Sequence, residues 1–97
     1  MDYEFFESAK EELADAIHYY ESDTPGIGFD LTDEVENVLG RLLRFPLSAP
    51  LVTKRVRKAV LHSYPYNIMY YIQDDTIFIV AFMHQKRKPG YWKKRIQ

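Results

Sequence analysis

Two hydrophobic rhythms divide this chain near residue 50. In the first half Ala9, Leu13, Ala16, Ile17 and Tyr20 recur with a period of about 3.6 residues, while Glu12, Asp15 and Glu21 point away from that stripe. The pattern predicts an amphipathic helix with its acids in water. Ser8, with Glu11 three residues on, has the spacing of a reciprocal N-terminal cap, so the helix should start there. Thr24, Pro25 and Gly26 break it. Leu31, Val35, Val38, Leu39 and Leu42 form a second stripe, which Pro46 should end near Phe45. Two such helices joined by a tight turn make a hairpin. Ahead of them, Tyr3 to Phe6 is short and aromatic enough to be a first strand.

From Val52 onward the apolar positions recur at every second residue, and β-branched and aromatic residues take over. Strands are expected at about 55–63, 66–73 and 76–84, with Tyr64-Pro65 between the first two and a tight Asp74-Asp75 turn between the last two. Such neighbours pair antiparallel. In the last strand Ile77, Ile79, Ala81 and Met83 alternate with Phe78, Val80, Phe82 and His84, so it is apolar on both faces and should lie centrally. The expected architecture is α+β: an N-terminal helical hairpin packed on one face of a mostly antiparallel sheet of three or four strands. The opposite face, aromatic and rimmed by cations, is then expected to be open as a binding surface.

Length and composition narrow the class. A chain of 97 residues, 46% apolar and 28% charged, suits one globular domain over residues 1–97. Cysteine is absent, which removes disulfide frameworks and thiolate metal sites. The acidic start is unlike a secretory signal, and the apolar run Thr76 to Met83 falls far short of the roughly 20 residues that cross a bilayer, so a cytoplasmic protein without a membrane span is expected. The net charge of −1 conceals a polarity between the halves. Residues 1–50 carry three basic and twelve acidic groups, and residues 51–97 carry ten basic and two acidic ones. One acidic and one basic zone on a single domain lets a polyanion approach one side while the whole stays soluble.

The signatures of common catalytic sites are missing, and the three histidines, His18, His62 and His84, lie on different elements, so no metal or other cofactor is expected. His84 stands out because it ends the central strand and Gln85, Lys86, Arg87 and Lys88 follow at once. A histidine there can move a proton near neutral pH while Arg87 neutralises a phosphate and Tyr91 stacks on a base or donates a hydrogen bond. The competing reading has Pro89-Gly90 turning the chain so that Tyr91 and Trp92 fold back to plug the core. Arg55 and Arg57 share one face of a strand and Lys54 and Lys58 the other, so they cannot all face one ligand unless the strand is twisted, bulged or at an edge. Arg57 can meet Arg87 only if their strands border one concavity.

In order, the helix, "YYESDTPGIGF", the second helix, "RFP", "VRKAVLHSYPYNIMYYI" and "TIFIVAFMHQKRKPGYWKKR" resemble the RelE/ParE superfamily of bacterial toxins from type II toxin-antitoxin modules, over nearly the whole chain. The most specific pieces are Tyr20, Pro25, Gly26 and Gly28, Phe45-Pro46, the Tyr-Pro-Tyr at 64 to 66, Tyr70, and the closing His84, Arg87, Pro89, Tyr91, Trp92 and Arg95. The resemblance implies a plasmid-stabilisation type toxin that arrests growth unless its cognate antitoxin binds it, with homodimerisation left open. RelE-like members cleave mRNA in the ribosome; ParE-like members inhibit DNA gyrase. A nuclease would draw its catalytic set from Arg57, His84, Arg87 and Tyr91, and would grip target or RNA with Arg55, Lys86, Lys88, Trp92, Lys93 and Arg95. RelE-like nucleases place an arginine near position 67, where this chain has Asn67, so the ParE-like reading leads. RNA cleavage is the alternative, and an inactive module that only binds an antitoxin is the second.

Overall fold

A computed structural model describes residues 1–96. Strand β1 (Asp2–Phe5) leads into helices α1 (Glu7–Asp23) and α2 (Ile27–Arg44), then strands β2 (Arg57–Val60), β3 (Tyr66–Gln73) and β4 (Thr76–His84). A short 3-10 turn over Lys93–Ile96 closes the chain. The sheet order is β1-β4-β3-β2, with β1 parallel to β4 and the other pairs antiparallel. The expected α+β architecture is therefore present, with β4 central and the helical hairpin on one face.

Several local details depart from the sequence reading. Phe6, not Ser8, stands at the N-cap of α1, and no side chain caps the helix there. Because α1 already begins at Glu7, Ser8 sits inside the first turn and the Ser8–Glu11 spacing closes no cap. The strand expected at 55–63 shrinks to Arg57–Val60 because the Thr53 hydroxyl accepts from the amides of Arg55 and Val56, at 3.2 and 2.9 Å, and curls the chain just before it. The turn of β3 and β4 follows expectation: Asp74 and Asp75 have φ of 50° and 60°, the paired left-handed residues of a twisted two-residue hairpin.

The helix-side core holds the α2 stripe, Leu31, Val35, Val38, Leu39 and Leu42, against Ile68, Tyr70, Ile77 and Ile79 of the sheet. The turn from α1 to α2 is held by Glu21, whose carboxylate accepts from the amides of Gly26 (2.9 Å) and Gly28 (2.8 Å) and so satisfies free donors at the start of α2. These hydrogen bonds, that of Gly26 first, pull the Glu21 carboxyl below its ordinary range. A Cβ on Gly28 would come within 2.8 Å of Glu21 Oε1 and 3.2 Å of Ile17 Cγ2. Gly28→Ala is accordingly expected to destabilise by about 1–3 kcal/mol, through overpacking and a displaced cap. Urea unfolding checks this, and a loss under about 0.5 kcal/mol would show that the helices separate freely there.

On the other face of the sheet lies a second apolar cluster: Val56, Met69, Val80, Ala81 and Met83, with Trp92 set among them and Tyr91 and Ile96 packed alongside. The expectation of an open outer face is corrected here. The segment after β4 turns at Gly90 (φ 79°) and lays its own aromatic residues over that face, because the apolar outer positions of β3 and β4 have no second helical layer to cover them.

Candidate functional site

The position of His84 depends on one irregularity of β4. Met69 pairs with Ala81 and Tyr70 with Ile79, so Val80 is an extra residue and the register shifts there. Strict alternation, as read from the sequence, puts Phe82 and His84 on the face opposite Ile77 and Ile79. The bulge reverses the phase. Val80 and Ala81 both join the outer cluster, while Phe82 returns to the helix side. His84, two residues on, then meets Tyr66 edge-on at 5.0 Å between ring centroids. Its Nδ1 accepts from the Lys86 amide at 3.0 Å, which leaves the ring hydrogen on Nε2.

The bulge also leaves backbone groups of β4 for side chains to satisfy. β1 ends at the same level, with the Phe6 amide donating to Ile79 O at 2.8 Å. Just beyond, the Phe82 amide donates to Glu12 Oε1 (3.1 Å) and the Arg95 guanidinium donates to Val80 O (2.9 Å). Glu12 on α1 and Arg95 near the C-terminus thus continue the edge where β1 stops.

Glu12 is the centre of this constellation. It accepts from both terminal nitrogens of Arg95, at 3.0 and 2.9 Å, and from the Tyr91 hydroxyl at 2.6 Å. Arg87 stands 3.9 Å from the same carboxylate and 3.9 Å over the Tyr91 ring centroid. Burial pushes the Glu12 carboxyl up, but the hydrogen bonds from Arg95, Tyr91 and the Phe82 amide outweigh it and hold the group below the ordinary carboxylate range. Burial first, and then the bond to Glu12, push the Tyr91 phenol well above its usual value. The bond to Glu12 likewise raises Arg95. The sequence reading, which turned Glu12 to solvent, is corrected: the helix wheel places it beside the apolar stripe, and a partner near the far end of the chain draws it inward. The one signal available was an acid next to the stripe in a protein whose C-terminal cations needed a counter-charge.

The structure brings His84, Arg87 and Tyr91 to one end of the sheet, where His84 and Arg87 share an open hollow of about 370 Å³ with Glu12, Asp15, Tyr19 and Tyr66. Arg57 lies elsewhere. It is on β2 at the far edge, with β3 between it and β4, and its guanidinium donates to the carbonyls of Leu47 (3.2 Å) and Ala49 (2.7 Å). Tyr70, which pairs with Arg57, donates to Pro46 O at 2.7 Å, so the two hold the loop after α2. Asn67 is buried and accepts from Gln85 Nε2 at 3.3 Å. Arg55 lies over the Tyr71 ring at 4.1 Å and bonds Gln73. Lys86, Lys88 and Lys93 are exposed, whereas Trp92 is 2% exposed and offers no ring face to a nucleic acid. Among the described residues no group of three His, Asp or Glu side chains is placed to hold a metal ion, and no helix is long and apolar enough to cross a membrane.

The comparisons agree with this architecture. The family model of the ParE toxin of the type II toxin-antitoxin system parDE matches residues 3–89. The chain belongs to that family. Among solved structures, one described as the chromosomal ParDE toxin-antitoxin system from P. aeruginosa superposes with a TM-score of 0.72 at 15% identity, covering 87% of this chain and 95% of that one. At that identity the likeness is one of fold. No curated protein matches. The family match ends at Pro89, so the ParE-family region includes His84 and Arg87, while Tyr91, Trp92 and Arg95 lie beyond it. This chain is a ParE-like type II toxin, and membership of a toxin-antitoxin system implies an antitoxin partner.

Proposed function

We propose that this toxin arrests growth by gripping DNA gyrase, the target that likeness to ParE implies, and that it does not cut RNA. The observation that carries this reading is the Glu12 carboxylate. A ribonuclease of the RelE kind needs a tyrosine and cations free to meet a phosphate as charge builds on it. Here the Tyr91 hydroxyl and the Arg95 guanidinium are both committed to Glu12, and Arg57 to backbone carbonyls. Asn67 supplies no cation at all. What is left for a target is electrostatic: Lys86, Arg87, Lys88, Lys93 and Lys94 are exposed and make the segment after β4 basic, beside the acidic α1. The exposed Tyr19, Phe29, Phe45 and Leu47 supply apolar contacts for the antitoxin that keeps the toxin silent in the cytoplasm.

The test is induced expression in bacteria without the antitoxin, followed by two readouts. Growth arrest with inhibited gyrase supercoiling by the purified protein, and unchanged mRNA 5′ ends, is the expected result. New ribosome-dependent 5′ ends that vanish in Arg87→Ala would overturn it in favour of RNA cleavage. Unimpaired growth would reduce the chain to a module that binds its antitoxin and nothing else.

A further inference from the structure

On the outer face of the sheet, under the C-terminal segment, lies a hollow of about 310 Å³ whose lining has an unusual balance of donors. Its apolar wall is Val52, Met69, Met83 and Trp92; its polar members are Lys58, Asn67, Gln85 and Lys93. Among the described residues no carboxylate lines it. The Lys93 side chain folds back along Gly90, its Cε within 3.1 Å of where a Cβ on that glycine would stand, so its ammonium stays near the mouth. Asn67 spends its carbonyl oxygen on Gln85, which leaves the amide nitrogen as the group it can offer. The Trp92 Nε1–H is buried and meets no acceptor among the described residues. A buried donor in that state costs roughly 1–3 kcal/mol, and buried polar groups are very largely paired in folded proteins.

We propose that this hollow binds a carboxylate carried on an aliphatic stem, supplied by an acidic residue or chain end of a protein partner. Two cations, the Asn67 amide nitrogen and one buried N–H without an acceptor among the described residues call for an oxyanion. The walls select its carrier. They present aliphatic and thioether groups, and the one aromatic ring among them is 2% exposed, so there is no face on which a nucleobase could stack. An acidic side chain flanked by apolar ones fits both halves of the lining. The inference shares Lys93 with the basic end assigned to gyrase, but it concerns the face opposite the helices and leaves His84 and Arg87 aside.

Trp92 is the only tryptophan in the chain, so its indole N–H gives a single reporter resonance. The experiment titrates the full chain with hexanoate and follows that resonance and the backbone amides around Asn67 by ¹H–¹⁵N correlation, with hexanol, inorganic phosphate and a dinucleotide as parallel probes. Hexanoate is expected to shift the indole resonance saturably, and hexanol to leave it in place. Lys58→Gln, at a half-buried side chain, and Lys93→Gln, at an exposed one, should each weaken hexanoate roughly tenfold, the loss of one charge-assisted hydrogen bond. An equal response to hexanol would overturn the proposal, as would no response to hexanoate, or unchanged affinity in both variants. A response to phosphate or the dinucleotide alone would also overturn it, and would assign the hollow to nucleic acid. Because the readout is binding to the isolated protein, its outcome and that of the growth assay are separable.

Discussion

Glu12→Ala is expected to lower the stability of this small protein by about 3 kcal/mol. The side chains of Glu12 and Arg95 are 17% and 19% exposed, so the pair is mostly out of water. Removing the acid strands the Tyr91 hydroxyl and the Phe82 amide and leaves the Arg95 guanidinium with only the Val80 carbonyl and no counter-charge at hydrogen-bond distance. Each was desolvated on the condition that Glu12 receive it. Breaking a buried pair by deleting one partner costs roughly 3–5 kcal/mol, and partial exposure argues for the low end. Arg87→Ala serves as the contrast: Arg87 is 53% exposed and stands 3.9 Å from the carboxylate, so its loss should cost under about 1 kcal/mol. Urea unfolding of the two variants decides the matter. Equal small losses would mean that the constellation is held by the aromatic packing and not by the acid.

The same carboxylate gives a pH signature. Its folded-state value lies below the ordinary 4.5, so its contribution is fully present above that pH and is lost as the pH falls through the lower, folded value. The wild-type protein should therefore lose stability below about pH 4.5 more steeply than Glu12→Gln, which has no proton to take up there. Parallel acid profiles for the two would remove Glu12 from the account.

The contrast between what was legible in the sequence and what was not follows from the range of the interactions. Helix stripes and strand alternation are local, and the α2 stripe from Leu31 to Leu42 is buried as its spacing requires. The Asp74-Asp75 turn is local too. The bulge at Val80 is not: nothing in "TIFIVAFMH" marks which residue is supernumerary, because every candidate is apolar and either phase buries apolar groups. Its consequence is the side of the sheet to which His84 turns. Glu12 is a similar case, since its direction depends on Tyr91 and Arg95, some eighty positions away. The resemblance to ParE toxins was legible because it rests on ordered short segments and not on any one contact. The covering of the outer face was half legible, as an alternative in which Tyr91 and Trp92 plug the core.

That covering leads to the second large effect. Trp92→Ala is expected to cost about 3–5 kcal/mol, the range for truncating a buried aromatic side chain. The ring is 2% exposed and packs with Val56, Met69, Val80 and Met83. Trp92→Phe should cost far less. It keeps an aromatic ring in the layer and removes the unpartnered Nε1–H, so relief of about 1–3 kcal/mol in desolvation offsets part of the lost packing. Circular dichroism is the proper probe, since both variants lack the sole tryptophan. Hydrogen exchange separates two ways of losing stability. If the C-terminal segment is part of the cooperative fold, amides of β3 and β4 lose protection together with those of residues 91–96 in Trp92→Ala. If only residues 91–96 lose protection and the midpoint of unfolding stays within 1 kcal/mol of wild type, the segment is a detachable strap, and the sheet would then have to tolerate Met69, Val80 and Met83 in water. The apolar area of those three side chains makes that tolerance the harder case, since a large exposed patch of this kind draws either a partner or aggregation.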